Sequence, residues 1–161
     1  MTINATAGAK IYIGTTKEQK KADYVLADFS AANAVTWKEI GEVEGLGSVG
    51  DTSEAINFTS IGDSRTRTLK GPRSAGTMEL VMGIDYADEG QIALIAAEKT
   101  KFDYEFRIVL NDAPPGGTPS ERLFIAKVMS QSEQYDAANA VMKLNASLGV
   151  NSNVVRVNAE A

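Results

Sequence analysis

The chain has 161 residues, a net charge of −5, 43% apolar and 23% charged residues, and neither cysteine nor histidine. Its length suits one domain, residues 1–161, with a sizeable core. Without cysteine there are no disulfides, thiolate nucleophiles or thiolate metal sites; without histidine the commonest general base and transition-metal ligand are also gone.

The opening MTINATAGAK has neither the charged start nor the apolar run of a secretory signal. No stretch approaches the roughly 18 apolar residues of a membrane span. The expectation is a protein made and kept in a cytoplasm, at least until assembly, with no membrane partner. Lys10–Ile13 (KIYI) reads as a short strand. From Gly14 to Val35 no period is clean, so this region, within residues 1–36, is expected to be an extended arm anchored by Tyr24, Leu26 and Phe29. Trp37–Val43 carries apolar residues at spacing three, but the dense Gly41, Gly45, Gly47 and Gly50 disfavour a helix and predict a bulged strand.

Alternation predicts a strand over Glu54–Ser60, with Ile56 and Phe58 on one face. Thr66–Lys70 is another, and Gly71-Pro72 is expected to turn the chain. Thr77–Gly83 points Met78, Leu80 and Met82 inward. The period then changes: Asp88 as N-cap, with Gln91 three residues on, opens a helix over about 88–100, its apolar side at Ile92, Ile95 and Ala96. Phe102–Asn111 reads as a strand with Phe102, Tyr104, Phe106 and Ile108 on one face. DAPPGGTPSE is a long turn. Arg122 to about Tyr135 is too long for a plain strand, so it bends or bulges. Ala138 to about Leu148 is a further strand, and Val154–Val157 a closing edge strand. The sum is mainly β: a β-sandwich or partly open barrel of about eight strands, with one flanking helix over an open end.

Candidate chemistry is sparse. Gly45-Leu46-Gly47-Ser48-Val49-Gly50 matches G-x-G-x-x-G, but a strand follows where a dinucleotide site needs a helix N-terminus. Asp103 and Glu105 share a strand face as a general acid and base would, yet they lie opposite the aromatic face and are expected in solvent. Asp85, Asp88 and Glu89 miss the spacing of a calcium loop. No catalytic residue, metal or cofactor is expected.

Charge placement says more. Glu39 to Asp63 holds six acids and no base; Arg65 to Arg73 holds four bases and no acid. Such segments pair within one fold, pair across subunits, or merely form a solvated surface. Nucleic-acid binding by the basic run is disfavoured by the acidic chain.

In order, Trp37-x-x-Ile40-x-x-Val43, the glycine loop, INFTSIGDSR (Ile56–Arg65), LKGPRSAGTMEL (Leu69–Leu80), the DEGQ helix start and a strand pair joined by a glycine-rich turn resemble the tail tube proteins of long-tailed bacteriophages over roughly Trp37–Leu148. The type VI secretion tube protein shares that architecture. The resemblance implies a structural virion protein of the phage tail. Its copies would form six-subunit rings that stack into a tube conducting DNA, without specific binding, from the capsid. The partners it implies are further copies and, at the tube ends, tape measure, terminator and distal tail proteins. Under that reading Glu39, Glu42, Glu44 and Glu54 contribute an acidic lumen, while Arg65, Arg67, Lys70 and Arg73 lie at subunit contacts. The competing readings are a monomeric β-sandwich that binds a ligand such as carbohydrate, and a carboxylate-dependent hydrolase.

Overall fold

A computed structural model describes residues 3–29 and 37–161. Ten strands and one helix follow in chain order. They are β1 (Lys10–Thr16), β2 (Lys38–Ile40), β3 (Val43–Gly45), β4 (Thr52–Ser60), β5 (Asp63–Ser74), β6 (Thr77–Gly83), α1 (Glu89–Glu98), β7 (Tyr104–Val109), β8 (Glu121–Gln134), β9 (Lys143–Val150) and β10 (Val155–Val157). The mainly-β class and the flanking helix are as the sequence predicts. Within the predicted arm, residues 30–36 lie outside the described residues.

Eight strands form one unclosed sheet in the order β2-β1-β7-β8-β9-β6-β3, with β10 paired to β8; β4 and β5 form a separate hairpin. All pairings are antiparallel. The pivot is β8. Its first half, Glu121–Ala126, pairs with β7, whereas Ala126–Gln134 pairs with β9 through a bulge between Val128 and Ser130. The strand predicted to bend therefore serves both layers of a sandwich. Ile11, Ile13, Phe106 and Phe124 from one half meet Met78, Leu80, Met82, Leu144 and Leu148 from the other in a single buried cluster. These are the inward members of period-two patterns, as alternation requires.

The two halves differ in their outer faces. β6 and β9 alternate strictly between buried and accessible residues, so the half built from β3, β6, β9 and the end of β8 leaves its outer face bare. In β7 and early β8 both faces are buried. There a second cluster forms, in which Tyr24 and Phe29 of the arm cover Leu123 and Ile125, with Trp37, Val155 and Val157 at its margin. Two of the three expected anchors hold. Leu26 does not: it sits in a short 3-10 turn and is 47% exposed. Asn153 fixes the arm by accepting from the Tyr24 amide (2.7 Å) and donating to its carbonyl (2.9 Å).

α1 starts where expected, with the Asp88 carboxylate accepting from Gln91 N. Its buried side, however, is Gly90, Gln91, Leu94 and Ala97, and Ile92 faces out. Close approach decides this. A Cβ at Gly90 would lie 2.1 Å from the Glu39 carbonyl oxygen, so only glycine lets the helix reach β2. Gln91 does more than sit in a capping box. Its buried amide donates to the carbonyls of Gly41 and Gly83 and accepts from Asp85 N, stapling α1 to the corner between β2 and β3.

Three further expectations change. The bulged strand over Trp37–Val43 is two short strands, because Glu42 adopts φ 56 and turns the chain from one half to the other. Gly71-Pro72 does not turn the chain. β5 runs through it, with a bulge opposite Ser53–Ala55 absorbing the missing proline donor, and the real turn is Ile61-Gly62. Phe102 lies before β7 and is exposed rather than inward.

Candidate assembly surfaces

Surfaces, rather than a cleft, carry the distinctive features. A polar cleft of about 380 Å³ lies between the arm, the base of the β4–β5 hairpin and the end of β9. Part of its charged lining is committed, since Arg73 pairs with Asp51 at 2.6 Å and Lys20 pairs with Asp28.

The carboxylates Asp103 and Glu105 are not in solvent, contrary to the sequence expectation; both are buried. The arm packs over this strand face and covers them. Asp103 accepts from Lys127 Nζ (3.0 Å) and Asn151 Nδ2 (2.8 Å). Glu105 faces Lys17 Nζ at 3.6 Å. Burial raises the Glu105 carboxyl above its usual pKa, and Lys17 offsets this in part. Glu105 thus ties the arm to the sheet, and Asp103 ties the start of β7 to β8 and the end of β9. The glycine loop is likewise structural: Gly47, at φ 66, passes so close to β6 that a Cβ would lie 2.6 Å from the Glu79 carbonyl oxygen. Asp88 is occupied by two backbone amides, Gln91 N and Gly41 N.

The bare outer face is mainly polar. Register places Glu79, Ser147 and Ser130 in one row and Val81, Asn145 and Ser132 in the next, with Met129 lying over Gly149. Ser147 Oγ donates to Glu79 Oε1 (3.3 Å), and Asn145 Nδ2 donates to Gln134 Oε1 (3.1 Å). Its cations among the described residues are paired: Lys143 is held by Glu44 at 2.9 Å, and Lys127, in register with Gly149, by Asp103 at 3.0 Å. The bounding strands of this half, β3 and the end of β8, each have a sheet partner on one side only.

The β4–β5 hairpin is the second distinctive surface. Nearly every residue in it is exposed, and a lone two-stranded hairpin is marginal in water. Register gives it two unlike faces. Asn57, Thr59, Thr66, Thr68 and Lys70 share one, tied by cross-strand bonds Thr59–Thr66 (2.9 Å) and Thr68–Asn57 (3.1 Å). The other carries Ile56 opposite Leu69 and Phe58 opposite Arg67, with Phe58 60% exposed.

The eight residues singled out by charge fall in separate settings. Glu39 lies on β2 near Lys10, Glu42 at the corner, Glu44 beside the bare face and Glu54 on the hairpin. The basic residues all lie on β5. Arg67 pairs with Asp63 at 2.6 Å and Arg73 with Asp51, so acidic and basic segments partly meet within the chain. Lys70 and Arg67 occupy opposite faces. Glu79 escaped attention as a lumen candidate, although the inward set Met78, Leu80 and Met82 already implies that it faces out.

No family model matches the chain, and no curated protein matches it in sequence. Solved structures do match in shape. A chain of the sheath/tube terminator of an extracellular contractile injection system superposes with a TM-score of 0.68 at 10% identity, covering 98% of both chains. A chain of the anti-feeding prophage baseplate gives 0.62 at 13% identity, again over 98% of both. The SPP1 tail tube gives 0.58 at 16% identity, over 94% of this chain and 77% of that one. The fold is therefore the one found in phage tail tubes and in the tube, terminator and baseplate parts of contractile injection systems.

Proposed function

We propose that the chain is a structural subunit of a phage tail tube, working by self-assembly and without catalysis. Copies join edge to edge through β3 and the end of β8 into six-subunit rings, and the rings stack into a conduit for DNA. The carrying observation is the half-sandwich with a bare polar face and two bounding strands paired on one side only. A neighbour's strand completes the ladder at each such edge, a hazard in a monomer and a joint in a polymer.

The same half supplies the lumen. Its short neutral side chains, with Glu79 and a neutralised Lys143, offer no free cation to phosphate among the described residues, so DNA slides past without counterion-releasing contacts. The arm-covered half then faces outward. This assigns Glu44 and Glu79 to the lumen, while the hairpin residues Arg65 and Arg67 serve subunit contacts. The tube ends would meet terminator, tape measure and distal tail proteins, and the chain would reside in the virion tail.

A second reading has one observation in its favour: the terminator-assembly chain matches over 98% of both chains, against 77% of the SPP1 tube chain. A terminator subunit forms one ring and stops. Size-exclusion chromatography followed by negative-stain microscopy decides. Hollow filaments support the tube subunit, isolated rings the terminator, and a compact monomer at all concentrations refutes both.

A further inference from the structure

The β4–β5 hairpin needs a receiving surface, and the chain carries one with matching chemistry at the other end of the bare half. We infer that Ile56, Phe58 and Leu69, with Arg65 and Arg67, dock on the surface formed by Tyr86, Tyr135, Val141 and Met142 of a second copy. The inference rests on the assembly reading above and deepens it by naming where the hairpin binds.

The receiving surface is apolar and exposed: Tyr86 is 74%, Tyr135 55% and Val141 68% accessible. Its parts lie together. Ile84 N donates to the Met142 carbonyl (3.2 Å), and Gln134 pairs with Lys143, which brings the segments of Tyr86, Tyr135 and Met142 to the same end of the sheet. The rim is acidic, with Tyr135 donating to the Glu133 carboxylate and Gln134 Nε2 donating to Asp136 (2.6 Å). On the hairpin the charge is reversed: Ile56, Leu69 and Phe58 share a face with Arg67 and Arg65, and Arg65 has no ion pair among the described residues. Guanidinium groups over tyrosine rings and against carboxylates, around a buried phenylalanine, make a favourable contact centre.

Position separates donor from receiver. The hairpin leaves the sheet at the Thr77 end of β6, whereas the receiving surface adjoins Gly83 and the β8–β9 connection. Seven residues of strand put about 20 Å between them. Two different surfaces at opposite ends of one molecule make a head-to-tail contact, which generates rings or filaments rather than closed pairs. The acidic and basic segments of the sequence are thus only partly spent within the chain. The remaining positive charge on the hairpin meets negative charge on the next copy.

The test is charge exchange in the full chain, read by pelleting and negative-stain microscopy. Arg65→Glu with Arg67→Glu, and separately Glu133→Arg with Asp136→Asn, are each expected to raise the concentration needed for assembly at least tenfold. Asn is chosen because residue 136 has φ 54, which asparagine tolerates. All four changes in one chain should restore assembly toward wild type. Phe58→Thr keeps strand propensity and removes the ring, so it should weaken assembly even if the charge variants damage the hairpin; circular dichroism checks the main sheet in each. If wild type assembles and the Glu133/Asp136 variant does so equally well, the pairing is wrong while the tube reading stands. Failure of the combined variant to recover also overturns the pairing. A wild type that never assembles overturns both.

Discussion

Phe29 and Leu26 lie three residues apart on the same arm, yet the structure gives them opposite weight. Phe29 is 2% exposed, tilted against Tyr24 at 5.9 Å between ring centroids and packed over Leu123 and Ile125. Truncating a buried phenylalanine to alanine costs about 3–5 kcal/mol. Leu26 is 47% exposed, and a surface substitution there changes stability by about 0.5 kcal/mol or less. Because the arm is a local covering layer, the Phe29→Ala cost falls mainly on arm detachment. A loss of about 3 kcal/mol raises the detached population over 100-fold. Limited trypsin digestion reads this directly, since Lys17, Lys20 and Lys21 lie on the arm and cleavage tracks the open population when reclosing is fast. Phe29→Ala should be cut at those lysines roughly 100-fold faster than wild type, and Leu26→Ala at nearly the wild-type rate. Equal rates for the two variants would refute the second core and, with it, the assignment of this half to the outside of the assembly.

Two other outcomes follow from single contacts. Gly90→Ala in an exposed helix would stabilise by about 1 kcal/mol; here the new Cβ meets the Glu39 carbonyl, so we expect a loss of about 1–3 kcal/mol, and the sign in a denaturant melt decides. Burial raises the Glu105 pKa above its usual 4.5, so the folded state holds this proton more tightly than the unfolded chain. Its contribution is fully present below the unfolded pKa and lost as pH rises through the folded one. The stability of wild type relative to Glu105→Gln should therefore be flat at acid pH and fall as pH rises above about 4.5; a difference independent of pH would show that the carboxyl is not desolvated.

Much of the sandwich was legible because its strands obey period two where one face is bare. Met78, Leu80 and Met82 announce β6 without help from the rest of the chain. The helix start was legible because Asp88 caps a backbone amide, a local event. What failed was non-local. Glu105 looks solvated until Lys17 of the arm, far earlier in the chain, is laid over it, and Asp103 until Lys127 and Asn151 close on it. Ile92 looks like the buried side of α1 until the close passage of Gly90 over β2 rotates the helix. Gly71-Pro72 carries a turn signal, but proline is tolerated in a hairpin strand with an open edge, and the turn is made by Ile61-Gly62. Leu26 and Phe29 are indistinguishable by residue type, and only the position of Leu123 and Ile125 separates them.

The charge segregation of the sequence finds its explanation in the same asymmetry that separates the two halves of the sandwich. A chain that meant only to fold would gain little from an exposed hairpin, since exposed ion pairs such as Arg67–Asp63 contribute weakly and an isolated two-stranded ribbon does not hold itself. It would gain less from leaving Ile56, Phe58 and Leu69 in water beside it. Both costs are recovered only when another surface covers that face. The covered half is largely occupied by the arm, and the bare face is mostly serine, asparagine and glutamate with Val81 and Met129 as isolated apolar side chains. Of the other exposed large apolar groups, Tyr86, Tyr135, Val141 and Met142 gather beside acidic residues, whereas Ile3, Val25, Leu26, Ile92, Phe102 and Met129 are exposed elsewhere. The distribution of stickiness over the molecule is thus itself an argument for order in assembly. Edges join sideways, the hairpin reaches lengthwise, and the broad, mainly polar face is left for whatever passes through.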